Sequence, residues 1–309
     1  MKQKIINRMG TQISLSIVHP EAEKLLEKAS HILADYEARF SANNFNSDLM
    51  TVNQQAGLQP VHVDSDLYEL IQIGKNYSLS SNLALNITIG PLVKLWKIGF
   101  TEARLPKPKE IDERLKLIDP TDIELDTDKR TVYLTKKGME IDLGALAKGY
   151  FADKLKKFFQ HEGVQSGLVD LGGNVLTIGE NPKYEDGYWR VGIQKPSLVR
   201  GDLVGAVLVK NKSVVTSGIY ERSLKVKGKD YHHVLDSTTG YPIENDVASV
   251  TIISDESIDG EIWTTLLFMF SPTLAIQYID TIPGIEALVI TKDNDVHMTH
   301  GITPYVVLF

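Results

Sequence analysis

The chain has 309 residues, 42% of them hydrophobic and 24% charged, and a formal net charge of −7. That length can bury a substantial core in one large domain or two lobes, and the composition is that of an ordinary globular protein. The acidic balance leaves no basic footprint for general nucleic-acid binding, and the absence of cysteine excludes disulfides, thiolate metal sites and a cysteine nucleophile.

In chain order, the N-terminal MKQKIINRMGTQISLSIV carries basic residues but no long apolar segment before a cleavage site. No apolar run approaches the roughly 18 residues of a spanning helix, so the expected setting is cytoplasmic, with no membrane partner. Residues 9–18 alternate like a strand, and Pro20 opens a helix through Arg39, with Leu25, Leu26, Ala29, Ile32, Leu33 and Tyr36 at helical spacing. SANNFNSD (41–48) is a loop in which Ser47 or Asp48 is a suitable N-cap. A helix is predicted over 64–81. In 83–100, Gly90-Pro91 separates an extended first half from an amphipathic second half.

A polar connector with a short helix follows over 101–120, then strands over 130–142. DLGALAKGYFADKLKKFFQHEG (142–163) predicts an amphipathic helix that Gly163 closes. From 165 to 254 the pattern is mostly strands, including HHVLD (232–236). Helices over 258–270 and 272–280 and a closing hairpin over 285–308 complete the chain. Runs of strands with helices at intervals argue an α+β fold rather than a regular βαβ array.

Several segments carry chemistry. In DLGALAKG (142–149), Gly144 permits close backbone approach, and Lys148 sits near a helix start whose unpaired N–H groups attract anions. The segment fits a phosphate site, or only a strand-to-helix turn with a solvated lysine. VDLGGN (169–174) suits a flat ring or ribose near the backbone, or only a tight turn; its spacing is not that of a dinucleotide-binding GxGxxG. Glu261 and Thr265 lie one helical turn apart, a hard oxygen pair suited to Mg²⁺ held chiefly through phosphates, or simply an acidic helix start. His232 and His233 at adjacent strand positions would point to opposite faces, leaving one free to act as a base. Arg222 could neutralise a phosphate or form a surface ion pair.

TSGIYER (216–222) followed by KDYHHVLDSTTGYP (229–242) resembles the signature of the FAD:protein FMN transferase family, also called the thiamine-biosynthesis lipoprotein family. Its members move FMN from FAD onto a Ser or Thr of another protein. Five separate motifs resemble the family's in the family's order, from Met9 to about Pro272. The resemblance implies a two-lobed α+β fold over residues 1–309, with mainly antiparallel sheets flanked by helices, a ligand cleft between the lobes and no clear linker.

The same resemblance implies roles residue by residue. His233 would be the catalytic base and Asp236 would orient its loop, with Ser237 in place of the family's Pro. FAD would be contacted by Met9, Asn43, Ala84, Leu85, Asn86, Asp142, Lys148, Gly172, Gly173, Arg222 and Leu235. Mg²⁺ would be held by the carbonyl of Ala145 and by Glu261 and Thr265, with Thr264 alongside. Glu261 stands where the family usually has Asp, and Asp259 is an alternative if the helix starts differently. Asn86 replaces a usual Asp. Asn43 replaces an aromatic residue, and members with Asn there look more like enzymes that hydrolyse FAD to FMN and AMP. The implied partner is an acceptor flavoprotein with a Thr or Ser flavinylation motif, a cytosolic fumarate-reductase-like enzyme fitting best. A non-catalytic FAD-binding protein is the third reading.

Overall fold

The computed structural model describes residues 1–80, 85–196 and 201–309. Its first part contains strands β1 (Lys2–Arg8) and β2 (Thr11–Val18), helices α1 (Ala22–Phe40) and α2 (Asp48–Gln54), strand β3 (Val61–His62) and helix α3 (Ser65–Ser80). Helices α4 (Gly90–Trp96) and α5 (Pro108–Leu115), strands β4 (Ile123–Asp126) and β5 (Thr131–Leu134) and helix α6 (Ala147–His161) follow. Then come β6 (Ser166–Asp170), β7 (Asn174–Ile178), β8 (Trp189–Gln194), β9 (Leu203–Val209), β10 (Ser213–Gly218), β11 (Ser223–Val226), β12 (Lys229–His232) and β13 (Val247–Ser254). Helices α7 (Ser257–Leu267) and α8 (Pro272–Ile279) and strands β14 (Glu286–Thr291), β15 (Val296–Met298) and β16 (Val306–Leu308) end the chain. No helix among the described residues is long and apolar enough to cross a membrane.

The chain divides into two compact units. The first comprises Met1–Asp35, Lys148–Tyr220 and Asn245–Phe309. Its main sheet has eight strands in the order β1-β2-β6-β7-β10-β13-β14-β15, and every adjacent pair is antiparallel. A second sheet, β16-β9-β8, supplies Trp189, Val191, Ile193, Val207 and Val209 to a core shared with Val214, Ile253, Leu288 and Ile290 of the main sheet. Strand β13 is buried along its whole length, which explains the near-continuous apolar run of its sequence. Helix α7 lies against β10 and β13. A Cβ on Gly260 would stand 2.4 Å from Val215, so only glycine lets the helix approach this closely.

The second unit comprises Tyr36–Ala147 and Glu221–Glu244. It holds the small sheet β3-β5-β4, the β11-β12 hairpin and helices α2 to α5. Its core gathers Leu92, Leu95, Trp96, Ile98 and Ile111 around Leu235. Ser47 caps α2 by accepting the Met50 amide at 3.0 Å, as the cap residues of the loop suggest.

Besides the short strands β3 and β4, which were not foreseen, the structure departs from the sequence expectations at five places. Strand β1 was not foreseen, because KQKIINR is a mostly polar edge strand with little buried surface to pattern it. The predicted strand over 130–142 shortens to β5. Helix α6 starts at Ala147 rather than 142, since the Asp142 amide bonds to the Ile87 carbonyl at 2.9 Å instead of entering a helix. Strand β12 stops at His232, so His233 is not a strand residue. The C-terminus is not a single hairpin: β15 pairs with β14, whereas β16 pairs with β9 in the other sheet.

Candidate active site

In the first unit, Lys148 sits in the opening turn of α6, and its Nζ lies 3.9 Å from Glu261 Oε1 on α7. Glycine at 149 makes this pairing of helices feasible. A Cβ there would stand 2.5 Å from the Ser257 carbonyl and 2.8 Å from Glu261 Cγ. Glu261 is only 4% exposed, and Asn174 at the start of β7 donates its side-chain amide to Oε1 at 2.8 Å. The Asn174 oxygen accepts from the Ser257 hydroxyl at 2.7 Å.

One turn into α6, Asp153 caps α7: its two carboxylate oxygens accept the Ser257 and Ile258 amides at 2.6 and 2.8 Å. Burial pushes the Asp153 carboxyl up to about 7, even though these two backbone amides favour its charged form. Thr264 and Thr265 both donate to the Glu261 carbonyl, at 3.1 and 3.0 Å, and Ser217 of β10 donates to the Thr264 hydroxyl at 3.0 Å.

The glycine turn after β6 belongs to the same unit. Gly172 and Gly173 both adopt positive φ, and the Gly173 amide donates to Asp170 Oδ1 at 2.9 Å. Burial raises the Asp170 carboxyl, with the two glycine amides opposing. A Cβ on Gly172 would stand 2.2 Å from Thr11 Oγ1, which seats this turn against the β1–β2 turn. There Met9 and Gly10 have φ of 52° and 71°, a two-residue hairpin of the primed kind. Met9 is thus held at a turn tip beside the glycines.

In the second unit, Asp142 precedes α6 and its Oδ1 accepts the Gly144 amide at 2.7 Å. Its carboxyl is raised, first by burial, while the Gly144 amide, Lys94 and Arg222 oppose. Ala145 lies exposed in the following turn. Leu85 is buried, and Asn86 caps the short 3₁₀ turn Ile87–Ile89 by accepting the Thr88 amide and hydroxyl at 3.0 and 2.7 Å. An amide oxygen serves this cap as a carboxylate would, which accounts locally for Asn86. Ala84 falls outside the described residues. Asn43 is exposed, its amide bonded to Ser41 Oγ at 3.2 Å.

The two histidines are bonded differently. A carbonyl oxygen can only accept, so His232 Nε2 carries a proton toward the Ile243 carbonyl at 2.7 Å. Its Nδ1 accepts the Val234 amide at 3.3 Å. His233 Nδ1 faces the Arg222 carbonyl, an acceptor, at 3.3 Å, so the neutral ring keeps its proton on Nδ1. Asp236 is engaged by its own loop: Oδ1 accepts the Thr238 amide and hydroxyl, each at 2.7 Å, and Oδ2 accepts Thr239 at 3.1 Å. Trp96 Nε1 closes that loop on the Gly240 carbonyl at 2.9 Å.

A cavity of about 460 Å³ in this unit is lined by Lys94, Lys97, Arg104, Arg114, Glu102 and Glu140 and contains none of the sequence-predicted site residues. One of its lining residues, Lys94, acts on Asp142 through its charge. Sequence reasoning missed Asn174, Ser257 and Asp153. The one available signal was an acid at position 153, three residues after Tyr150 on the apolar face of α6.

Glu261 beside Lys148 and the glycine turn in the first unit, and His233 and Asp236 in the second, are carried on an α+β frame of antiparallel sheets. The ApbE family pattern matches residues 9–289, and the chain belongs to that family. It is 39% identical to an FAD:protein FMN transferase of Klebsiella pneumoniae over 93% of this chain and 88% of that protein. It is 37% identical to one of Treponema pallidum, over 91% and 81%. Among solved structures, the ApbE protein of Thermotoga maritima superposes with a TM-score of 0.90 at 27% identity, covering 98% of both chains. The flavin transferase ApbE of Vibrio cholerae superposes with 0.82 at 25% identity, covering 98% of this chain and 99% of that one.

Proposed function

We propose that this protein is an FAD:protein FMN transferase that moves FMN from FAD to a Thr or Ser of an acceptor flavoprotein and releases AMP. The observation that carries the reading is the pairing of Lys148 with the buried Glu261 carboxylate, joined to family membership across residues 9–289. Among the described residues, no three His, Cys, Asp or Glu side chains cluster as a metal site. A cation here would therefore draw much of its coordination from phosphate oxygens, which is the habit of Mg²⁺. The residues present fit that ion: Glu261 offers a charged oxygen and Thr265 a hydroxyl on the same helix face, with Thr264 alongside. Bound there, Mg²⁺ would draw negative charge from the diphosphate.

The chain's own groups supply the remainder. Lys148 would neutralise a phosphate oxygen, assisted by the positive end of α6. Gly172 and Gly173 would admit the flavin nucleotide close to the backbone, with Met9 packed on a ring. Asp142, Leu85, Asn86, Leu235 and Arg222 are proposed as further FAD contacts. His233 Nε2 would take the acceptor hydroxyl's proton as the oxygen attacks the FMN phosphorus and AMP leaves. Asp236 would keep the His233 loop in shape. The acceptor is proposed to be a cytoplasmic flavoprotein of the fumarate-reductase-like kind.

A second reading is favoured by one observation: the exposed position 43 is Asn, which cannot stack on a flat ring as an aromatic residue does. Water would then replace the protein hydroxyl and give FMN and AMP. The deciding experiment incubates the full chain with FAD, MgCl₂ and a flavoprotein domain bearing a Thr-containing acceptor motif. Covalent flavin on the acceptor is the expected result. Free FMN and AMP without labelled acceptor would replace transfer by hydrolysis, and intact FAD under all conditions would overturn both.

A further inference from the structure

Asp153, Ser257, Asn174 and Glu261 are all at least 95% buried, and they form one continuous run of hydrogen bonds whose directions are fixed by chemistry. An ionised carboxylate only accepts, so Asn174 must present its NH₂ group to Glu261 Oε1. That turns the Asn174 oxygen toward Ser257, whose hydroxyl must donate. The Ser257 and Ile258 backbone amides are taken by Asp153. No member of this run can flip without leaving a buried polar atom unpaired.

The Asn174 end of the run is not what caps α7. Asp153 caps the helix directly, and Gly149 and Gly260 each admit a contact that a Cβ would block. What the Asn174 amide adds is control of the Glu261 carboxylate itself. A glutamate has one more rotatable bond than an aspartate and loses more freedom when fixed. With Oε1 tied to Asn174, Oε2 has no hydrogen-bond partner among the described residues.

Building on the function proposed above, we propose that Asn174 is a positioning residue that aims the Glu261 carboxylate at a divalent cation, itself aimed by Ser257 and Asp153. Outer partners of this type tune a metal ligand without touching the metal. The arrangement also accounts for how this chain uses the longer acid at position 261: the amide gathers in its extra reach.

The test titrates Mg²⁺ calorimetrically into the full chain saturated with FAD, for the wild type, Asn174→Leu and Ser257→Ala. Asn174→Leu keeps the volume and deletes the donor; cation affinity should fall about 10- to 100-fold, while FAD binding in EDTA stays within about threefold. Ser257→Ala leaves the amide but frees its orientation and should weaken the cation by a smaller factor. In turnover, both variants should need more Mg²⁺ for half-maximal rate yet recover most of kcat at saturating Mg²⁺, a split that general destabilisation would not produce. Wild-type cation affinity in a folded Asn174→Leu, or in Ser257→Ala should the leucine variant not fold, overturns the positioning role. A wild type that binds no Mg²⁺ instead overturns the cation reading of the site itself, and the wild-type titration alone reveals it.

Discussion

The α6–α7 site of the first unit and the 221–244 segment of the second hold their polar groups in opposite ways. At α6–α7, nearly dry side chains bond to partners 83 to 105 positions away, Asp153 of α6 capping α7 among them. In the 221–244 segment, Asp236 bonds to groups two and three residues away, and His233 stays half-exposed beside the Arg222 carbonyl. Buried long-range bonds give a rigid cradle suited to holding charge. Local turn bonds give a loop whose shape survives without deep burial, as the proposed role of His233 toward an incoming acceptor would require. Under the proposed function, gripping the nucleotide and moving a proton would fall to these two differently built segments.

Four substitutions break or sharpen this contrast. The largest effect is expected at His233. His233→Ala should lower transfer about 10²- to 10⁴-fold and leave FAD binding in EDTA near wild type; a variant with unimpaired transfer would remove His233 from the chemistry. Next is the pH dependence of the buried site. The Asp153 carboxyl is raised from 3.8 to about 7 in the folded protein, so between those values the unfolded chain binds fewer protons. Its contribution to stability therefore falls as pH climbs from about 4 to 7, by at most about 4 kcal/mol at 1.4 kcal/mol per unit. Urea midpoints should show this slope in the wild type and a flatter one in Asp153→Asn; parallel slopes would refute the assignment.

Packing comes third. Gly149→Val must displace the Ser257 carbonyl or Glu261 and should cost about 1–3 kcal/mol, read as a lowered melting temperature. Smallest is the loop. Thr238→Val removes one hydroxyl bond from Asp236 and should cost about 1 kcal/mol or less, with a modest loss of transfer and no change in Mg²⁺ affinity. If Thr238→Val weakened Mg²⁺ as strongly as Asn174→Leu, the separation of tasks would fail.

Much of the frame was legible in residue order. Helical spacing announced α1, α3 and the body of α6, and alternating or continuous apolar runs announced β2 and β13, because those elements are shaped by which face they bury. Strand β1 was silent, since an edge strand of Lys, Gln, Asn and Arg is held by backbone pairing to β2. The start of α6 was misread because DLGAL has helix-forming composition, while the Asp142 amide is claimed by Ile87, 55 positions earlier. His233 left its strand because β12 ends at His232, four residues before the end of the strand expected over 232–236. Of the residues to which the proposed function gives roles, Lys148, Glu261, Thr265 and His233 stood out by residue type and spacing; Asn174 looked like part of a glycine turn.

Residue order by itself determined the α+β class, the family and the chemical groups on offer, because periodicity and short motifs are properties of neighbours along the chain. Only the folded molecule decided which nitrogen of each histidine holds its proton, which oxygen of Glu261 is tied, and that an aspartate on α6 caps α7. Those outcomes depend on distances between groups as far as 105 residues apart, and such distances are set by burial and packing rather than by any local preference.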